Sequence, residues 1–425
     1  MRNDFVWMYE IFFFNGNFYF GKMMQRSECC MEIKDLVFKY KEYVRELRRN
    51  FHQYPELSFE ETETTRRIAD ELDKMGISYK INPEKNTGLV AVIHGSRPGR
   101  TVALRADIDA LPVTETNSFD FRSKNEGKMH ACGHDGHMAV LLGAARMLMD
   151  MKEEICGTVY LVFQPAEEVG QGALYMMRFG DWYEKTDNIF GGHVWIDVPA
   201  GKVSAEAGSR MAAADQFVIR VHGRSGHGSQ PNQAIDAVVA ASAIVMNLQT
   251  IVSRHYNPLE SVALTVGSFH SGNRFNIIAG EAVLEGTTRY FKKEIGQDLK
   301  DTMDRIVTET ARAYGATAEL QYDFMVPPTI NDDDSAEIAR QAVKEVLGES
   351  ALTHMRKTTG GEDFAFYLEK KPGCFIFPGI YNEDPAIDAT HSHHSHNFNM
   401  DDSVLSGTSG VYAQYAIDWL KAHQK

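Results

Sequence analysis

The sequence predicts an α/β protein with a mixed-sheet domain interrupted by a smaller α+β unit. Three observations predict it. Short apolar strands alternate with amphipathic stretches of three-and-four spacing from about residue 32 to 210. Over residues 211–324 the order becomes strand, helix, strand, strand, helix, strand, the split βαβ order of ferredoxin-like units, and Pro327-Pro328 closes it. At 425 residues the chain is longer than one core sustains, so two domains are expected.

Each element follows from its pattern. Ile33, Leu36, Val37, Tyr40, Val44 and Leu47 recur on one face, predicting a helix over 32–50, and a second over 61–75 stops at Gly76. Residues 88–94 and 101–109 read as strands, the second ending in Asp107-Ile108-Asp109. An Ala, Leu and Met-rich helix is expected over 138–149, and a strand over 157–164 runs into Pro165-Ala166-Glu167-Glu168. In the inserted unit, strands are expected over 216–222, 261–269, 281–291 and 316–324, with helices over 234–254 and 293–314. Helix, strand (374–380) and a last helix after Asp402 complete the first domain, which thus comprises residues 31–210 and 326–425 around an insert of 211–325. Residues 1–30 read as an extension outside the folded body, with Met31 as the natural start, because regular amphipathic patterning begins there. Their aromatic run, Phe5 to Phe20, is broken by Glu10 and Asn15-Gly16-Asn17, so neither a signal peptide nor a membrane span is expected.

Composition narrows the function. A hydrophobic content of 43% and a charged content of 24% are those of a soluble globular protein, and a net charge of −14 argues against nucleic acid as a partner. The five cysteines (Cys29, Cys30, Cys132, Cys156, Cys374) are few, irregular and odd in number, which fits a reducing, cytoplasmic setting and leaves Cys132 free to act as a thiolate.

The chemistry concentrates in residues 129–137, Met-His-Ala-Cys-Gly-His-Asp-Gly-His, where one thiol, three imidazoles and a carboxylate fall together. Thiolate and imidazole are donors for Zn, Mn, Co or Ni, and Cys132 and His134 can point at one site from an extended turn. Further candidates sit at other strand ends or turns: Glu167 and Glu168, His193 after Gly191-Gly192, and the tract His391-Ser392-His393-His394-Ser395-His396. Carboxyl-terminal strand edges are where α/β folds gather ligands.

Taken in order, RADIDALPV, MHACGHDGHMAVLLGAA, VFQPAEEVGQGA, GGHV, GHGSQP and GGEDFAFY resemble the successive motifs of the M20 metallopeptidase and amidohydrolase family, in its aminoacylase, hippurate hydrolase and auxin-conjugate hydrolase branch. The resemblance runs from Met31 to Lys425. It implies two divalent metal ions per subunit, Zn, Mn, Ni or Co, held by Cys132, His134, Glu168, His193 and His394. His396 stands where a Pro is more usual in the family, and His391 and His393 lie close to the implied ligand. Arg105-Ala106-Asp107 replaces the His-x-Asp of the wider clan, so Asp107 is expected to orient a ligand.

Glu167 is then the general base and acid of a metal-assisted amide hydrolysis. His227 matches a lid histidine that reaches an active site, often the partner subunit's, to stabilise the oxyanion. Asn276 and Arg289 match positions for oxyanion contact and the substrate's free carboxylate, and Gly361 borders the pocket. The implied activity is hydrolysis of small N-acyl amino acids by a homodimer or higher homo-oligomer. Within the family, N-acetyl-diaminopimelate deacetylase and dipeptidase or carboxypeptidase activities are the alternatives, and a metal-binding protein without turnover is the alternative outside enzymes.

Overall fold

The computed structural model describes residues 8–14, 17–23 and 32–424. Within the N-terminal stretch, which is expected to be an extension, Met8–Phe14 pairs antiparallel with Asn17–Met23 as a two-stranded sheet separate from the others; Met31, the expected natural start, lies outside the described residues.

The main body is built on a large mixed sheet whose strands run in the order Ser78–Ile81, Leu89–His94, Cys156–Gln164, Arg97–Asp107, Asn188–Gly192, Gly373–Tyr381 and Trp195–Pro199, with Val203–Ser204 added beside Gly373–Tyr381. The first two pairings are antiparallel, and those from Cys156–Gln164 to Trp195–Pro199 are parallel. Three adjacent parallel strands therefore end at one edge, at Asp107, Gln164 and Gly192. Buried on both faces, these strands read as near-continuous apolar runs.

Two helices pack together on this sheet, His134–Asp150 and Leu405–Ala422. The first is longer than the predicted 138–149, beginning at His134 itself, because Gly133 takes the left-handed conformation (φ 98°) and turns the chain into the helix. A side chain there would also lie 2.5 Å from Val194, so only glycine fits. The predicted 32–50 helix is two helices, Ile33–Lys39 and Lys41–His52, broken at Tyr40, whose hydroxyl donates to Asp150. The helix Thr62–Met75 ends at Gly76 in the left-handed region, as its sequence predicts.

A second sheet has the order Ala263–Ser271, Glu281–Tyr290, Ala213–His222 and Thr317–Val326, all antiparallel. Its helices, Ala237–Thr250 and Lys293–Ala313, cover one face and share a core with Phe217, Ile219, Val221 and Leu284. The strict alternation of Ala213–His222 sends every second side chain into that core. The predicted 234–254 helix starts later, at the Asp236 cap whose carboxylate accepts from the Val238 and Val239 amides, and it finishes in a π turn, Ile251–His255. The segment Ala237–His255 is long and apolar enough to cross a membrane, with a third of it buried. Its apolar residues divide between a core side (Ala240, Ala241, Ile244, Leu248) and an exposed side (Val238, Val239, Met246).

Candidate active site

The edge where the three parallel strands end collects the metal-type donors. Cys132 arrives on the turn before the long helix, His134 on its first residue, Glu168 on the turn after Cys156–Gln164, and His193 directly after Asn188–Gly192. His394 comes from the late loop, in the left-handed region (φ 65°), with its amide donating to the Ala131 carbonyl. The Cys132 sulfur lies 3.3 Å from His193 Nε2 and 3.3 Å from His394 Nε2. Glu168 Oε1 lies 3.6 Å from His394 Nε2 and 3.9 Å from His134 Nε2. These form two donor groups, Cys132–His134–His193 and Cys132–Glu168–His394, that share the thiol.

The donors fit a cation, and the fit does not rest on proximity alone. His134 Nδ1 donates to Asp109, 2.9 Å from its carbonyl and 3.2 Å from Oδ1, and His193 Nδ1 donates 2.6 Å to the Val194 carbonyl. Each ring therefore presents Nε2 as a lone pair towards the cluster. His134 Nε2 and Glu168 Oε1 are buried yet have no hydrogen-bond partner among the described residues. Buried polar atoms are rarely left so without a ligand to satisfy them. Burial and Glu168 push the Cys132 thiol well up, so taking a cation there means releasing a proton.

The neighbouring imidazoles are turned away from this duty. His137 uses both nitrogens, Nδ1 on Asp107 at 2.5 Å and Nε2 accepting from the Val194 amide at 2.9 Å. His393 accepts from the Ile196 amide, and His391 faces Asp388. His130 is fully buried, its ring nitrogens have no hydrogen-bond partner among the described residues, and burial pushes it down to about 4. Asp107, expected to orient a ligand, is bonded to His137 and Arg105 and lies 3.8 Å from His134, whose orienting hydrogen bond goes to Asp109.

Glu167 lies beside Glu168 because the turn that carries them is sharp. Ala166 takes φ 58°, and the turn is held by Ala166 N–H donating to Glu61 and Glu168 N–H donating to Asp109. Burial, then Glu362, Asp363 and Glu168, raise the Glu167 carboxyl well above the usual range. Behind it, Arg105 is fully buried and donates to Asp107 (2.7 Å), Glu362 (3.0 Å), Asp363 (2.9 Å) and Gln164 (3.0 Å). This one cation ties two strand ends to the 360–364 loop. Breaking such a buried network by removing Arg105 would cost about 3–5 kcal/mol.

The pair opens onto a cleft of about 640 Å³ between the two sheets, lined among others by Glu167, Glu168, Arg289, Gly361, Met325 and His394. Arg289 is held on its strand, donating through Nε to the Thr359 carbonyl and through Nη1 to Thr287 and the Thr288 carbonyl. Gly361 lies against Ala214, where a β-carbon would come within 2.9 Å. His227 and Asn276 stand apart from this cleft. His227 lies on a two-residue ladder, Gly226–His227 against Ile277–Ile278, and Asn276 in the turn just before Ile277; both are exposed, and the Gly228 amide donates to the Asn276 carbonyl. His227 Nδ1 accepts from the Ser229 amide at 3.1 Å.

Asp109, Glu61 and Arg105 are the functional neighbours that the motifs did not single out. Asp109 had a signal, a second carboxylate at a buried strand's end; Glu61 and Arg105 act across more than fifty residues of sequence, which no local pattern reveals.

Fold and site together define a hydrolase in which a carboxylate stands beside a cluster of soft and borderline metal donors at the carboxyl edge of a mixed sheet. The chain belongs to peptidase family M20/M25/M40, whose model matches residues 103–418. It is 38% identical over 371 residues to an N-acetylcysteine deacetylase of Bacillus subtilis, covering 87% of this chain and 95% of the relative. It is 38% identical over 393 residues to thermostable carboxypeptidase 1 of Saccharolobus solfataricus, covering 90% and 98%. Among solved structures it is similar to the Bacillus subtilis YXEP protein, a dinuclear metal-binding peptidase of the M20 family, with a TM-score of 0.80, 34% identity, and coverage of 90% of this chain and 99% of that one.

Proposed function

We propose that this chain hydrolyses the amide bond of N-acyl amino acids, with two divalent cations held by Cys132, His134, Glu168, His193 and His394. The observation that carries the reading is the pair of buried, unpartnered atoms His134 Nε2 and Glu168 Oε1, facing the shared Cys132 thiol with Glu167 one residue away. Divalent cations bound there supply Lewis acidity that lowers a water's pKa towards about 7 and polarises a carbonyl.

The chain's own residues do the rest. Glu167 takes a proton from the attacking water as the carbon–oxygen bond forms, then delivers it to the amide nitrogen as the carbon–nitrogen bond breaks. The products are a carboxylic acid and an amino acid. Arg289, pre-positioned by three acceptors, offers its remaining donors to the substrate's free carboxylate. His227 and Asn276 complete the oxyanion contacts from the four-stranded unit of a second subunit, which acts as lid and dimerisation domain. Their exposure away from their own chain's cleft supports this, as does the open edge of Ala263–Ser271 with the apolar outer side of Ala237–Thr250 beside it.

The similarity to a carboxypeptidase favours a second reading, peptide-bond cleavage at the same centre. Turnover of acetyl-, benzoyl- and indoleacetyl-amino acids against free dipeptides, each with Zn, Mn, Co or Ni restored after chelation, separates the two. Faster cleavage of acyl amino acids and loss of activity on chelation are expected. Activity untouched by stripping the metals would contradict both readings.

A further inference from the structure

Consecutive residues of an extended chain point to opposite sides, so Glu167 and Glu168 could not both face one site from the end of a regular strand. They do so because the chain turns as it leaves the strand: Ala166 adopts φ 58° directly after Pro165, and residues 167–170 then fold into a tight turn closed by the Gly170 amide donating to the Glu167 carbonyl at 2.7 Å. For a residue with a β-carbon this conformation costs on the order of 1 kcal/mol and persists only where the surroundings impose it. Ala166 is completely buried, and its amide donates to Glu61 Oε1 at 2.9 Å. Its carbonyl accepts from the Gly172 amide at 3.1 Å, closing the turn from the other side.

Glu61 is itself fixed and remote. It caps the helix Thr62–Met75, its carbonyl accepts from the Thr65 amide at 3.0 Å and the Thr65 hydroxyl at 2.6 Å, and its side chain is fully buried, out of reach of the cleft. We infer that Glu61 is a positioning residue for the reaction: its carboxyl oxygen holds Ala166 in the left-handed turn, and so aims Glu167 and Glu168 at one centre. The inference rests on the reading of Glu167 as proton carrier and Glu168 as metal ligand. It assigns a catalytic consequence to a side chain that touches neither substrate nor metal.

Three substitutions test it in the metal-loaded enzyme, on the acyl amino acid that turns over fastest. Glu61→Gln keeps an accepting oxygen at the same reach and is expected to retain kcat within about twofold. Glu61→Asp withdraws the oxygen by one methylene and is expected to lower kcat about tenfold or more with KM changed less than twofold. Ala166→Gly makes the left-handed turn intrinsic, so in that background the Glu61→Asp loss is expected to shrink to a few-fold.

A purely structural Glu61 would lower Tm in the Asp variant while leaving kcat of the loaded enzyme within twofold, and that result would overturn the inference. Equal damage from Gln and Asp, or an undiminished Asp effect in the Ala166→Gly background, would overturn it too. Glu167→Gln runs alongside as a control. If it abolishes turnover while the Glu61 variants behave as wild type, only the positioning role fails, whereas full turnover in Glu167→Gln removes the underlying reading.

Discussion

The two sheets carry their functional side chains in opposite ways. At the edge of the large sheet Cys132, His134 and His193 are buried and two of them are oriented by a second hydrogen bond, so the donor cluster is assembled by one chain. On the four-stranded unit, His227 on its two-residue ladder and Asn276 in the turn before Ile277 sit exposed, and Phe275 next to Asn276 is 96% exposed. Buried, oriented donors are pre-organised for chemistry, whereas exposed ones wait for another surface. The difference predicts that damage to the first set acts within a subunit and damage to the second acts between subunits.

The largest expected effects fall on the buried set. Glu167→Gln should lower kcat by about 10²–10⁴-fold while mass analysis finds the metal content unchanged. Cys132→Ala, which deletes the atom common to both donor groups, should lose turnover and metal together. Metal loss in Glu167→Gln, or full metal retention in Cys132→Ala, would blur the distinction between the two roles.

The next effect falls on the exposed set. His227→Ala should reduce kcat by about 10²–10³-fold, the range for removing one oxyanion donor, without touching metal content. Mixing inactive His227→Ala and Glu167→Gln subunits is expected to restore part of the activity, because a heterodimer then holds one intact site. If mixing restores nothing, His227 serves its own subunit and the comparison between the sheets fails.

Much of this organisation was legible in the chain because local spacing encodes it. The alternation of Ala213–His222 and the Gly76 stop of the preceding helix declare themselves within a few residues. The clustering of Cys132, His134, Glu167, Glu168 and His193 at one strand edge follows from parallel strands ending together. What was not legible is set by tertiary contact. Tyr40 breaks a periodic helix through its place against Asp150, and the long helix starts four residues early because Gly133 turns the chain beneath Val194. Arg105 reaches Glu362 and Asp363 across more than 250 residues; in the late tract, by contrast, the histidine that faces Cys132 is His394, the one the family resemblance implies.

The smallest expected effect concerns stability and isolates a single buried group in the large-sheet half. Burial, then Asp109, push the Glu61 carboxyl from an ordinary 4.5 up to about 8. The folded chain therefore holds that proton more tightly than the unfolded chain does. Its contribution to stability is complete below about pH 4.5 and is lost as the pH rises through about 8. Glutamine resembles the protonated carboxyl and has no proton to lose, so Glu61→Gln should match wild type near pH 5 and become the more stable protein, by a few degrees in Tm, as the pH approaches 8. Thermal unfolding of the two metal-loaded proteins across that range is the measurement. A difference that stays constant, or that favours wild type at high pH, would mean that Glu61 is ionised in the fold and that the turn is held by a carboxylate.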